Sequence, residues 1–214
     1  MENFLFYFFL FFLYSVLGWI VETTYVAILD KKIVNRGFLI GPYLPIYGFN
    51  AVIIILYLNQ YKDNPLTVFL LAIFICSFFE YITSYLMEKI FKARWWDYSN
   101  LKFNLNGRIC LKNSLLFGSL SILLIYLINP LIIKLMKNMN ETWLLIIIIT
   151  CLIIFIIDFI ISFNVIMKIK HNFDELKLDA TIEIRKLIDT KLKRKCLNNR
   201  IFNAFPRIKF ERKK

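Results

Sequence analysis

Residues 141–167, ETWLLIIIITCLIIFIIDFIISFNVIM, hold a single charge, Asp158, between the opening Glu141 and the closing methionine. A run of that length at 1.5 Å per residue crosses the roughly 30 Å of hydrocarbon in a bilayer. It lacks the polar positions that an amphipathic helix on a water-soluble domain would show. Four similar stretches precede it, so five transmembrane helices are expected at about 4–29, 43–59, 65–88, 114–135 and 141–167. The expected fold class is therefore an all-α membrane protein, with residues 1–168 as the transmembrane domain and 169–214 as a basic tail.

Composition agrees. Of the 214 residues 59% are hydrophobic and 22 are Phe, too much to be covered by the polar surface of a soluble globule. The N-terminus, MENFLFYFFLFF, has neither a basic leader nor a small-residue cleavage pattern, and it reads as a retained first span.

Charge sets the expected orientation. Of the 27 Lys and Arg, 24 lie in the segments 30–41, 89–113 and 168 onward, whereas the alternate loops hold only Lys62, Lys134 and Lys137. Because basic residues are retained on the cytoplasmic side, five spans place the N-terminus outside and the tail inside. The net charge of +12 thus reflects membrane topology rather than a nucleic-acid partner. Within the tail, Phe173, Leu176, Ala180, Ile184, Leu187, Ile188 and Leu192 form a helical apolar stripe, which predicts an amphipathic helix over about 173–196. The basic and Phe-containing terminus that follows suits an anionic lipid surface. Cys76, Cys110, Cys151 and Cys196 have no metal-ligand spacing, so neither a metal site nor a cofactor is expected.

Three acidic residues fall inside spans, where an ionisable side chain costs a few kcal/mol and needs a partner or a water-filled cavity. Glu22 and Glu80 lie about seven and eight residues from the cytoplasmic ends of the first and third spans, so they share a depth and could flank one polar pocket. Neutralisation by burial, binding of a cation or cationic substrate, and pairing with Arg36, Arg94 or Arg108 all remain open, as does a purely structural ion pair. Asp158 approaches the same depth, with Ser162 and Asn164 near enough in sequence to satisfy it. Residues 35–48, NRGFLIGPYLPIYG, place three Gly and two Pro at the entry to the second span. Such a segment is either a tight inner turn or irregular backbone at membrane depth. The loop RWWDYS (94–99) followed by FNLNGRI (103–109) concentrates aromatics, amides and charges. It suits a hydrogen-bonded cap over the pocket or a short helix lying on the membrane.

The strings GWIVET, NRGFLIGPYLPIYG, FEYITSYLMEKIF, RWWDYS and FNLNGRICL, in this order and spacing, resemble the CmpB family of type IV ABC-transporter permeases, integral membrane proteins of bacteria. The resemblance covers about residues 5–135 and leaves the fifth span and tail outside it. It implies a permease subunit in the bacterial plasma membrane, with Trp19, Asn35, Arg36 and Tyr47 joining Glu22 and Glu80 as substrate-pocket candidates. It also implies that Trp95, Trp96, Asp97, Tyr98, Asn104, Gly107 and Arg108 form a lid or docking loop. The chain has no GxxxxGK[ST] loop, so a separate ABC ATPase subunit is expected. Five spans make a thin wall, which calls for a homodimer or a partner permease among the membrane lipid. Two other classes fit the same features: a membrane-embedded enzyme acting on a lipid or lipid-linked substrate at the cytoplasmic interface, which lacks any recognised catalytic set, and a non-catalytic membrane sensor or assembly partner worked by the tail.

Overall fold

The computed structural model describes residues 4–31, 35, 37–179 and 209–210. Helix α1 spans Phe4–Asp30, α2 Pro45–Leu58 and α3 Pro65–Phe91. Two short strands, β2 (Asn104–Leu105) and β3 (Ile109–Cys110), follow β1 (Ala93–Arg94). Helices α4 (Leu111–Leu123), α5 (Asn129–Lys137) and α6 (Glu141–Asp179) follow, and β4 (Lys209–Phe210) closes the described chain. A π-helical segment, Leu124–Ile128, joins α4 to α5, so the two form one continuous rod. It immediately precedes the Asn129–Pro130 turn, where the proline has no amide hydrogen and its ring crowds the carbonyl four residues back. The distortion accompanies a buried Asn129, whose Oδ1 accepts a 2.8 Å hydrogen bond from the Tyr14 hydroxyl on α1.

Four helical rods are long and apolar enough to cross a membrane: Phe4–Ile28, Pro65–Phe91, Leu111–Lys137 and Glu141–Ile169. The chain is thus an all-α, multi-pass membrane protein. The expected second span differs. Its helix, α2, has only 14 residues, about 21 Å of rise. It starts at Pro45 because proline fits the first helical turn and disfavours helix in the residue before it, and residues 37–44 lead into it as irregular backbone. This segment is packed into the bundle rather than lying outside as a turn: the Leu44 amide donates to the Ser15 carbonyl in the middle of α1 at 2.9 Å. From there α2 runs back along α1, and Leu58 shares a core with Leu10.

Close approach of α1 and α2 depends on glycine. At Gly48 a Cβ would collide with the Phe11 carbonyl and the Ser15 hydroxyl, so a larger residue would force the backbones apart. Asn64 caps α3 by accepting from the Thr67 amide at 3.1 Å, and Lys92 in the left-handed region, with φ 53°, ends it.

The core comes in two apolar clusters. One joins Leu10, Tyr14, Ala51, Ile54, Leu58, Val68, Ala72, Cys76 and Ile148 with residues of the α4–α5 rod. The other joins Phe91, Ala93, Trp95, Ile166 and Ile169 at the opposite end. Along α3 the buried polar residues Glu80, Ser84 and Glu88 fall between the two clusters, and along α6 Asp158 and Ser162 do the same. The bundle therefore has a polar layer between two apolar ones. Outside, α6 shows Ile146, Ile149, Ile153, Ile156, Ile157 and Ile160 to its surroundings, a face that only lipid or another apolar surface can solvate.

The backbone of α6 runs unbroken past Met167 to Asp179, so the first residues of the expected amphipathic helix extend the last span. The rest of that expectation, residues 180–196, lies outside the described residues. Strand β4 pairs antiparallel with β1, Ala93 opposite Phe210 and Arg94 opposite Lys209.

Candidate functional site

Within the polar layer, carboxylates on α1 and α3 meet two tyrosines, Tyr47 from the first turn of α2 and Tyr98 from the α3–α4 loop. Gly18 leaves room for the Tyr47 ring to lie on α1, and the first turn of α2 carries that ring to Glu22. The Tyr47 hydroxyl donates to Glu22 Oε2 at 2.9 Å. Across the layer, the Tyr98 hydroxyl reaches from the α3–α4 loop to Glu80 Oε1 at 3.3 Å. Glu80 is 4% exposed, and its other oxygen, Oε2, is buried without a hydrogen-bond partner among the described residues. Tyr47 lies within electrostatic reach of Glu22, Glu80 and Tyr98 together, which makes the two carboxylates and two phenols one cluster. Burial pushes the Tyr98 phenol above its ordinary range and the charges of Glu80 and Glu22 push it further, so it remains a donor.

Asn35 ties the entry segment to α1. Its Oδ1 accepts from Trp19 Nε1 at 2.7 Å, and its Nδ2 donates to the Ile40 carbonyl at 2.8 Å. Arg36 lies outside the described residues.

Asp158 has a role that its sequence neighbourhood only half reveals. Ser162 donates to it at 2.8 Å from the next turn. The Ile40 and Gly41 amides donate to it at 2.9 and 2.7 Å, and so does the Tyr43 hydroxyl. One carboxylate on α6 thus satisfies irregular backbone that would otherwise be orphaned away from water.

The α3–α4 loop is a hydrogen-bonded cap built around a β-hairpin, not a short helix. The turn Leu105–Arg108 has Asn106 and Gly107 at φ 53° and 67°, both left-handed, and is closed by the Arg108 amide on the Leu105 carbonyl at 3.0 Å. Asn104 accepts from the Gly107 amide at 3.0 Å, Trp96 Nε1 donates to the Arg108 carbonyl at 2.9 Å, and the Tyr98 amide donates to the Gly107 carbonyl at 2.8 Å. Asp97 accepts from the Ser99 amide and hydroxyl. Trp95 is buried in the apolar cluster below.

Both described arginines of the cap choose Glu88 instead of Glu22 or Glu80. Arg108 Nη1 is 2.6 Å and Arg94 Nε 3.3 Å from Glu88 Oε2. Arg108 also donates to Ser84 Oγ at 3.2 Å and lies over the Tyr81 and Tyr85 rings at 5.7 and 5.5 Å. Sequence reasoning passed over Glu88 because it stands at the end of the span. The signal was its spacing, eight residues after Glu80 and four after Ser84, which puts all three on one face of α3. A separate open groove, lined by Phe103, Asn104, Leu105, Ile109, Cys110, Leu111 and Ser114, contains none of the carboxylates.

The sequence model of a family described as "Putative ABC-transporter type IV" matches residues 9–163. No curated protein and no solved structure matches the chain. The family match runs beyond the region read from motifs and takes in most of the fifth span, Asp158 and Ser162 included. The chain belongs to this family.

Proposed function

We propose that this family member is the membrane subunit of an ABC-type transporter, a permease of the bacterial plasma membrane driven by a separate ATPase. The observation that carries the reading is the carboxylate–tyrosine cluster, held inside the bundle where a half-length helix begins. A buried carboxylate with an unmatched oxygen is expensive in a bilayer and is retained where a solute uses it. Discontinuous helices are also how membrane transporters bring backbone and side-chain groups to a solute at mid-depth.

In this reading Glu22 and Glu80 supply negative charge to a cation or cationic solute, and Tyr47 and Tyr98 orient them. Trp19 and Asn35 belong to the surrounding pocket. Residues 37–44 and α2 together make the second of five crossings, with the N-terminus outside and the tail in the cytoplasm. The cap, from Trp95 through Arg108, then faces the cytoplasm as lid or ATPase-docking surface. The outward Ile-rich face of α6 supports a second copy or a partner permease completing the pathway. No observation among the described residues favours the lipid-enzyme or sensor readings over this one.

The test is ATP hydrolysis by the complex purified with its ATPase, wild type against Glu22→Gln and Glu80→Gln. Solute-stimulated hydrolysis should fall at least tenfold in both variants, the loss of one charge-assisted interaction, while the complex stays assembled. Unchanged stimulation in both would remove the cluster from the mechanism.

A further inference from the structure

The hairpin between α3 and α4 turns apolar side chains outward. Phe103 is 79% exposed and is held in the left-handed region at φ 54°, a conformation that a bulky residue rarely adopts without support. Support is present: the Phe103 carbonyl accepts from the Leu111 amide at 3.0 Å, and the side chain of the neighbouring Asn104 donates through Nδ2 to the Leu101 carbonyl at 2.7 Å. The loop is therefore braced to display the ring. Leu105 and Leu111 are exposed beside it, and with Ile109, Cys110 and Ser114 they line the open groove.

Two features identify what this groove holds. First, Leu111 in its lining begins the apolar Leu111–Lys137 rod, where Leu115 and Leu116 are also exposed, so exposed apolar side chains lead from the groove onto a candidate membrane span. Second, two of its lining residues are flanked in the chain by exposed lysines. Lys102 and Lys112 adjoin Phe103 and Leu111, the two residues joined by that backbone hydrogen bond, and both lysines are exposed. Among the described residues neither lysine has an ion-pair partner, and the first turn of α4 contains no acidic residue. An apolar trough flanked by two exposed lysines that have no ion-pair partner among the described residues is complementary to one kind of molecule.

We propose that the groove between the α3–α4 hairpin and α4 is a binding site for an anionic phospholipid. An acyl chain lies against Phe103, Leu105 and Leu111, and the phosphate is held by Lys102 and Lys112. The lipid fills the space beside the cap that closes the carboxylate cluster and fixes the cap at the depth of the bilayer surface. The site is independent of any transported solute, because the groove shares no residue with the Glu22–Glu80 cluster.

The experiment uses the full-length protein, purified in mild detergent and titrated with phosphatidylglycerol or phosphatidylcholine of identical acyl chains, with bound lipid counted by native mass spectrometry. One phosphatidylglycerol should be retained about tenfold more tightly than phosphatidylcholine, the preference expected of two lysines near an anionic headgroup. Lys102→Gln/Lys112→Gln should abolish the preference, whereas Lys62→Gln/Lys134→Gln, which do not adjoin the groove, should leave it intact. Equal retention of the two lipids by the wild-type protein overturns the proposal without any variant. A preference that survives in Lys102→Gln/Lys112→Gln overturns it too, as does a protein partner covering the hairpin with no lipid retained.

Discussion

Tyr47, in the first turn of α2, donates a 2.9 Å hydrogen bond to Glu22 Oε2 on α1, and this contact fixes where a half-length helix begins inside the bundle. The carboxylate accepts from the tyrosine, Gly18 gives the ring its place, and Pro45 starts the helix that carries it. Interior charge and irregular backbone thus belong to one arrangement. Its parts have separable consequences.

Asp158 receives four donors, and replacing it strands them. Asp158→Ala leaves the Ile40 and Gly41 amides and the Tyr43 and Ser162 hydroxyls to find other acceptors. Each buried unsatisfied group costs about 1–3 kcal/mol, so the variant should lose several times the stability lost by Ser162→Ala. Unfolding in graded denaturing detergent compares the two, and equal midpoints would mean that Asp158 does not anchor the segment.

Gly48→Ala should separate α1 from α2. The added methyl meets the Ser15 hydroxyl and the Phe11 carbonyl, the latter being backbone of a neighbouring helix that cannot swing aside as a side-chain tip can. Overpacking of this kind costs about 1–3 kcal/mol. Thermal unfolding in detergent reads the loss, and a midpoint at or above the wild-type value would show that the helices do not approach so closely.

Glu88 holds two arginines, so its removal should cost more than the removal of either. Glu88→Ala leaves the buried Arg108 without its 2.6 Å partner, and an uncompensated buried charge costs about 3–5 kcal/mol. Arg94→Ala, which leaves Glu88 still paired with Arg108, should cost much less. Limited proteolysis of the 92–110 loop should show Glu88→Ala cut fastest; equal rates for the two variants would count against a shared anchor.

Tyr98 gives the cap an alkaline limit. Its phenol is raised above the ordinary value of about 10 by burial and by the charges of Glu80 and Glu22, so the folded protein binds that proton more tightly than the unfolded chain does. The stabilisation is fully present below pH 10 and is lost as pH climbs above it. Stability of the wild-type protein should therefore fall between pH 10 and 12 more steeply than that of Tyr98→Phe, with no difference in slope between pH 6 and 9. Parallel curves over the alkaline range would place Tyr98 in solvent.

Much of this was legible in the sequence. The long apolar runs mark α1, α3, the α4–α5 rod and α6, because 20 or more apolar residues have few other solutions. The Gly and Pro of residues 35–48 mark irregular backbone, but not its length; that the helix after it keeps only 14 residues follows from the tertiary contacts of Leu44, Gly41 and Ile40. The Asn106–Gly107 pair is a strong hairpin signal that goes unnoticed among aromatic residues read as a membrane-surface feature. Charge partners were the least legible. Arg94 and Arg108 reach Glu88 because the loop folds back on the end of α3, a geometry that no spacing in the chain encodes.

A permease that forms the membrane half of an ABC transporter works only with its ATPase. The most direct measurement is to extract a tagged copy from its native membrane in mild detergent and quantify co-purifying proteins by mass spectrometry. An ABC ATPase should appear in near-stoichiometric amount. Its absence across several gentle detergents, with the membrane protein itself intact, would mean that the protein is not an ABC permease subunit.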